Sequence, residues 1–489
     1  MALRWCTSLP VLLLSYVVCS LAVEIQSFEN TNILRTVELG GSQVQITTTF
    51  AIKALQPNAK TYTLALDVDE QEKTSWLEVR LKGQQEGLEM APREDDTGRY
   101  VLLDVTLPKA LAVNGTANLI VDSIQTGATF PWPEKAAQAA DQALKYRSDL
   151  FVISPYKTVT QKTKLRSPSP GVISHTTPKN VESFTLGDPV TKSGATITYG
   201  PYQNIPASAN SKFLDEHQQR VIIHYSYEHP VLEVTKLKRA AEISHWGSNL
   251  NIQDEVVLRN AGPTLKGQFS RIDYQHSSYY KKSVSHVIPA VTLHLPAGIR
   301  DAYYYDQIGN VSTSRLRTTP SVPKGSQANQ YSFLELRPRY PIMGGWNYSF
   351  TLGWDAPLAD STSYDSKSGK YIVEVPVMTT IPGAVVKEAE VKIVLPEGAT
   401  DISYVEPFPS TSWMFTYKTY LDTSGRPTLL FEYQDLTIKH AQSIYVSYKV
   451  PFSAHLQKPF AVSAAIFISF MFTLVGRRID LTLHKQKVQ

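Results

Sequence analysis

The chain has 489 residues, of which 42% are hydrophobic and 19% charged. That apolar fraction supplies a buried core and excludes wholesale disorder, while the charge falls below the ~25% of ordinary soluble domains. The net charge of +4 comes from the two ends, Arg4 and a tail with Arg477, Arg478, Lys485 and Lys487 against Asp480; the neutral stretch between offers phosphate no cationic field, which excludes a nucleic-acid partner.

Residues 1–22 read as a secretory signal peptide. Arg4 is its basic start, Leu9 to Val18 its apolar core, and Ser20 and Ala22 the small residues before cleavage. Both cysteines, Cys6 and Cys19, lie within it. The mature chain then has none, which excludes disulfide frameworks, cysteine nucleophiles and thiolate zinc sites.

From Val44 to Val450 short alternating runs dominate, and 26 Tyr with 30 Pro favour strands and turns. Leu64, Leu66 and Val68 alternate with Asp67 and Asp69, predicting one half-buried strand. Trp76–Leu81, Arg220–Tyr227, Glu390–Leu395 and Ser443–Val450 predict others. Turn signals such as Gly40-Gly41, Asp96-Thr97-Gly98 and Ser424-Gly425-Arg426-Pro427 separate such runs. The expectation is a mainly β chain with two lumenal β-sandwich-like domains, residues 23–230 and 231–458. Pro133 opens an Ala-, Gln- and Lys-rich stretch, Glu134 to Tyr146, that predicts a helix. Lys162 to Pro178 reads as a loop, and no period of 20–50 residues predicts a repeat.

Little catalytic chemistry stands out. Asp67-Val68-Asp69 matches the carboxylate pair with which many glycosyltransferases hold a divalent cation. Both acids fall on the polar face of their strand, however, where solvated charge is expected, so no metal and no cofactor is assigned. His224 and His229 are five apart and face opposite sides of a strand, and there is no His-Glu-x-x-His, Gly-x-Ser-x-Gly or phosphate-loop pattern. Three glycosylation acceptors begin at Asn114, Asn310 and Asn347.

Residues 459–476 carry no charge and predict a membrane-spanning helix. Eighteen residues rise about 27 Å, the thickness of an endoplasmic-reticulum bilayer, also about 27 Å. Arg477 and Arg478 follow at once as a cytoplasmic stop, which predicts a single-pass type I protein with residues 477–489 as the cytosolic tail. Lys485 and Lys487 resemble a dilysine retrieval signal. Ala461, Ala465, Ser469 and Thr473 recur at every fourth position and form a ridge of small residues suited to packing against another membrane helix. The competing expectation is that Ser469 and Thr473 bond their own helix carbonyls.

Ordered blocks of sequence carry a family resemblance. They include Glu242-Ile243-Ser244-His245-Trp246-Gly247, Leu265 to Gln275, Asp306 to Ser314, Arg337-Pro338-Arg339-Tyr340-Pro341 with Gly344-Gly345-Trp346, and Gly425-Arg426-Pro427. Together with Ser154-Pro155-Tyr156, Tyr199-Gly200-Pro201-Tyr202 and Leu395 to Ala399, these resemble the ribophorin I family. The resemblance implies a non-catalytic subunit of the endoplasmic-reticulum oligosaccharyltransferase, which transfers a lipid-linked glycan to asparagine of nascent proteins. It implies membrane lipid, the catalytic subunit and small membrane subunits as partners, and a part in presenting nascent polypeptide. The short tail resembles the fungal form rather than animal members, which carry a large cytosolic domain. The alternative is a type I adhesion or receptor ectodomain, against which the lack of disulfides argues; a lumenal glycosidase is a third class.

Overall fold

A computed structural model describes residues 26–93, 98–185, 187–280, 284–321, 330–419 and 422–478. The signal segment 1–22, Cys6, Cys19, most of the tail with Lys485 and Lys487, and the Asp96-Thr97 turn lie outside the described residues. The remainder is mainly β, with one long apolar helix at the C-terminal end.

Period-two alternation builds the strands. On Phe28–Glu38, the residues Ile33, Arg35 and Val37 point inward, whereas Asn32 and Glu38 are exposed. This strand lies inside a seven-stranded sheet. It runs antiparallel to Gln43–Ala54 on one side and parallel to Thr158–Arg166 on the other. A three-stranded sheet (Ala59–Asp67, Tyr100–Leu111, Met90–Arg93) and a four-stranded sheet built around Ala143–Asp149 and Arg220–Ser226 complete the unit. Two cores result. One gathers Phe28, Ile33, Phe50, Tyr62 and Val105; the other gathers Val37, Ile46, Tyr146, Tyr199 and Tyr225. Arg35 lies between Ile33 and Val37 on the same strand face, so it sits at the seam of the two cores.

The rest of the chain repeats this plan, with one further short edge strand, Gly309–Asn310. Leu232–Ser244 lies antiparallel to Asn249–Asn260 and parallel to Val385–Val394, inside an eight-stranded sheet. Outward from the parallel pair come Arg426–Leu436 and then Thr411–Tyr417; on the other side come Asn347–Pro357 and Arg300–Asp306. The first unit has Thr196–Ile205, Val190–Ser193, Thr116–Thr126 and Thr74–Leu81 in the matching places. Companion sheets of three and four strands match as well, in order and in chain position. The expectation of no repeat is therefore corrected. The period is about two hundred residues, far outside the 20–50-residue window of solenoid arrays. What repeats is above all topology, so no short sequence period marks it.

The apolar cores of Phe28–Val231 and Val234–Tyr448 are separate. We take this as support for a domain boundary near residue 230. Between the units, Trp76 meets His440 edge to face at 5.0 Å and Thr126 donates to Asp435 (3.1 Å), a carboxylate that Lys387 of its own unit also bonds (2.7 Å).

Four local expectations need correction. Glu134 to Tyr146 is not a helix. Lys135–Ala136 pairs in parallel with Thr264–Leu265, and Ala143–Asp149 is a full strand with Leu144 and Tyr146 turned inward. Alanine's helix preference is worth only tenths of a kcal/mol per residue, about 0.5, less than burying either side chain, about 1.5–3 kcal/mol. Within Lys162 to Pro178, residues up to Arg166 continue a central strand, and Val172–His175 forms another. Val68 and Asp69 leave the alternating strand for a short helix, Val68–Lys73. The apolar helix begins before Pro459, running Phe452–Gly476.

Candidate functional site

The paired acids of the sequence are local structure. Asp67 caps the short helix, its Oδ1 accepting from the Asp69 backbone N–H at 2.8 Å. Asp69 pairs with Arg220 on a half-exposed surface. Beside them, at the seam of the first unit, Arg35 donates to Glu70 at 2.5 Å. Gln125 donates to Glu70 (3.3 Å) and accepts from the Tyr146 hydroxyl (3.1 Å). Burial, and then the nearby Asp67, push the Asp149 carboxyl up to about 6 against the pull of Arg35. This network gives the buried Arg35 guanidinium its counter-charge, although the guanidinium Nε itself has no hydrogen-bond partner among the described residues. Among the described residues no group of three or more His, Cys, Asp or Glu is arranged to hold a metal ion.

The second constellation joins the second unit to the long helix. The helix window with mean hydropathy 2.0 is wholly unburied, yet its first two turns are docked. Ala454 is buried against Gly398, whose φ of +79° and close approach leave no room for a side chain. His245 bonds the Tyr448 hydroxyl at 2.9 Å and meets His455 of the helix edge to face at 5.7 Å. Burial, and secondly His455, hold the His245 imidazole below its ordinary range. Lys458 donates to Asp422 at 2.8 Å, and Arg426 joins the same carboxylate at 3.2 Å. Burial alone would raise the Asp422 carboxyl, but the bonds from Lys458 and Thr419 bring it down to about 2. Glu397 accepts from the Thr423, Ser424 and Gly425 backbone N–H groups, fixing the loop that carries Asp422. The arrangement can transmit position; it lines up no nucleophile, base and oxyanion donor.

Asn114 lies in a turn with φ +62°, Asn310 in a two-residue strand and Asn347 at a strand start; all three are exposed, and Asn310 and Asn347 share one sheet with a single strand between theirs. Ala461, Ala465, Ser469 and Thr473 are all exposed on the long helix. The Thr473 hydroxyl donates to the Phe470 carbonyl of its own helix at 2.7 Å, the behaviour that competed with cross-helix bonding. Sequence reading missed Gly398, Asp422, Ala454 and Lys458 as joint residues. The one available signal was Lys458, a charge abutting the apolar run.

The ribophorin I family model matches residues 28–477, from the first strand through the long helix. Among curated proteins, the Arabidopsis thaliana "Dolichyl-diphosphooligosaccharide--protein glycosyltransferase subunit 1B" is 33% identical over 80% of this chain and 77% of its own. The Oryza sativa subunit 1B is 32% identical over 73% of this chain and 69% of its own. The Caenorhabditis elegans subunit 1 is 29% identical over 92% of this chain and 72% of its own. A solved yeast leukotriene A4 hydrolase overlaps 41% of this chain at 14% identity with a TM-score of 0.25, too low to bear on fold or activity. The match spans both units and the helix docked on the second, and the chain belongs to the ribophorin I family.

Proposed function

We propose that this chain is a non-catalytic subunit of the oligosaccharyltransferase, acting in asparagine-linked glycosylation as a membrane-anchored lumenal scaffold. The observation that carries the reading is the family match over residues 28–477, which takes in the whole tandem repeat and the helix. The relatives are named as subunit 1 of that transferase. Catalysis would lie in another subunit: the acid pair at Asp67 and Asp69 is occupied in capping and ion pairing.

Anchoring rests on Phe452–Gly476, an exposed helix of 25 residues. The charge-free run from Pro459 and the paired Arg477 and Arg478 support a type I orientation in the endoplasmic reticulum, with both units in the lumen. The partners are the catalytic subunit and small membrane subunits, met in the bilayer through the ridge at Ala461, Ala465, Ser469 and Thr473. Exposure of Asn114, Asn310 and Asn347 suits each as a glycan acceptor, and Lys485 and Lys487 would serve retrieval.

Purification of the tagged full chain from detergent-solubilised membranes tests the reading. Recovery with a glycan-transferring activity is the expected result. Migration as a lone monomer, with the activity elsewhere, would overturn it.

A further inference from the structure

The turns of the second unit converge where the long helix emerges. The hairpin Leu232–Ser244 to Asn249–Asn260 closes through His245 to Ser248. Tyr417 pairs with Arg426 at the mouth of the loop that holds Asp422, and Asp365 with Lys370 at another tip. Thr400, just after Gly398, pairs with Lys449 immediately before the helix. Three of these turns grip the helix, through His245 to His455, Asp422 to Lys458 and Gly398 to Ala454. This end of the unit therefore cannot swing away from whatever the helix enters.

Large apolar side chains gather at the same end without partners above them. Trp246, at the hairpin tip, is 63% exposed, Tyr364 58% and Phe452 76%. Tyr364 packs on Tyr371, which packs on His245, so these rings form one cluster around the helix (centroids 4.9 and 4.6 Å). The joint's charges are paired: Lys370 and Lys449 both contact Asp401, at 3.1 and 3.0 Å.

We infer that this end of the second unit rests in the lumenal headgroup layer of the bilayer, with Trp246 and Tyr364 seated within that layer. The inference depends on reading residues 459–476 of the Phe452–Gly476 helix as the span. With the hydrocarbon starting at Pro459, His455 lies four residues, about 6 Å, above it. The headgroup layer is itself about 5–8 Å thick on each side. His245 meets His455 at that level, and Trp246 is its chain neighbour. Tryptophan and tyrosine, with an apolar body and a polar edge, are the side chains that settle there. A bilayer is the occupant favoured because the surface is continuous with the span and, among the described residues, Asp401 and Asp422 are each paired with cations.

The test uses the full chain in phosphatidylcholine nanodiscs, compared with nanodiscs whose lipid is brominated near the acyl carbonyl. Brominated lipid should quench tryptophan emission, and Trp246→Phe should cut that quenching by about half or more. Trp132→Phe, an exposed site in the first unit, should leave it unchanged. Equal quenching in wild type and Trp246→Phe would overturn the proposal, as would a Trp246 signal quenched by aqueous iodide instead. Loss of the lipid effect in the purified complex would also overturn it, by showing that protein covers this end. Extraction of the chain by alkaline carbonate would instead sink the span reading itself.

Discussion

Arg35 and Arg239 do the same job in the two units. Each sits on the first strand of its repeat and is nearly inaccessible, at 4% and 2% exposure. Their counter-charges differ: Arg35 uses Glu70 from a helix, whereas Arg239 takes Asp254 from the adjacent strand in a bidentate pair at 2.6 and 2.7 Å. Removing one partner leaves a buried charge alone. Arg239→Met is expected to lower the stability of the second unit by about 3–5 kcal/mol, read as a fall in thermal midpoint. Adding Asp254→Leu should recover most of the loss. Asp149 provides a pH test. Its folded carboxyl titrates near 6 against an ordinary 3.8, so the folded state holds the proton to higher pH than the unfolded chain. That contribution is full below the unfolded value and is lost as pH rises through about 6. Asp149→Asn should therefore stabilise the chain at pH 7 by about 1–3 kcal/mol, an advantage that shrinks as unfolding is measured towards pH 5.

At the scale of elements, the docked start of the long helix is the feature with most consequence. Gly398 is at φ +79°, and a Cβ there would lie 2.6 Å from that of Ala454. Gly398→Val should cost about 1–3 kcal/mol in docking and speed hydrogen exchange at amides 452–458, while strand amides of the first unit stay protected. Within the span, Ala465→Leu with Ser469→Leu should reduce recovery of the partner subunits, whereas Val462→Leu with Ile466→Leu should not. Equal recovery would place the packing face elsewhere. The same elements show what a sequence discloses. Alternation at Arg220–Tyr227 and Ser443–Val450 marked real strands, because inward and outward positions differ in solvation residue by residue, and Trp76–Leu81 is a strand as well although only Val79 in it is buried. The Ala-rich stretch after Pro133 misled, because local preference is weak beside pairing with Thr264–Leu265 and burial of Tyr146. The joint was illegible, because Gly398, Asp422 and Lys458 meet only once two strands and a helix are in place.

The whole molecule is two copies of one layered unit, the second of which is clamped to the helix. Long sheets with unlike ends suit a scaffold: one unit engages the other through Asp435 and Trp76, and the far end is held at the helix. The central claim is that this scaffold serves glycan transfer without performing it. The direct measurement is asparagine-glycan occupancy, by mass spectrometry across lumenal proteins, after depletion of the chain and re-expression of either wild type or the Asp67→Ala, Asp69→Ala double variant. The account predicts broad underoccupancy on depletion, with equal rescue by both forms. Unchanged occupancy on depletion, or a double variant that assembles normally yet fails to rescue, would contradict it.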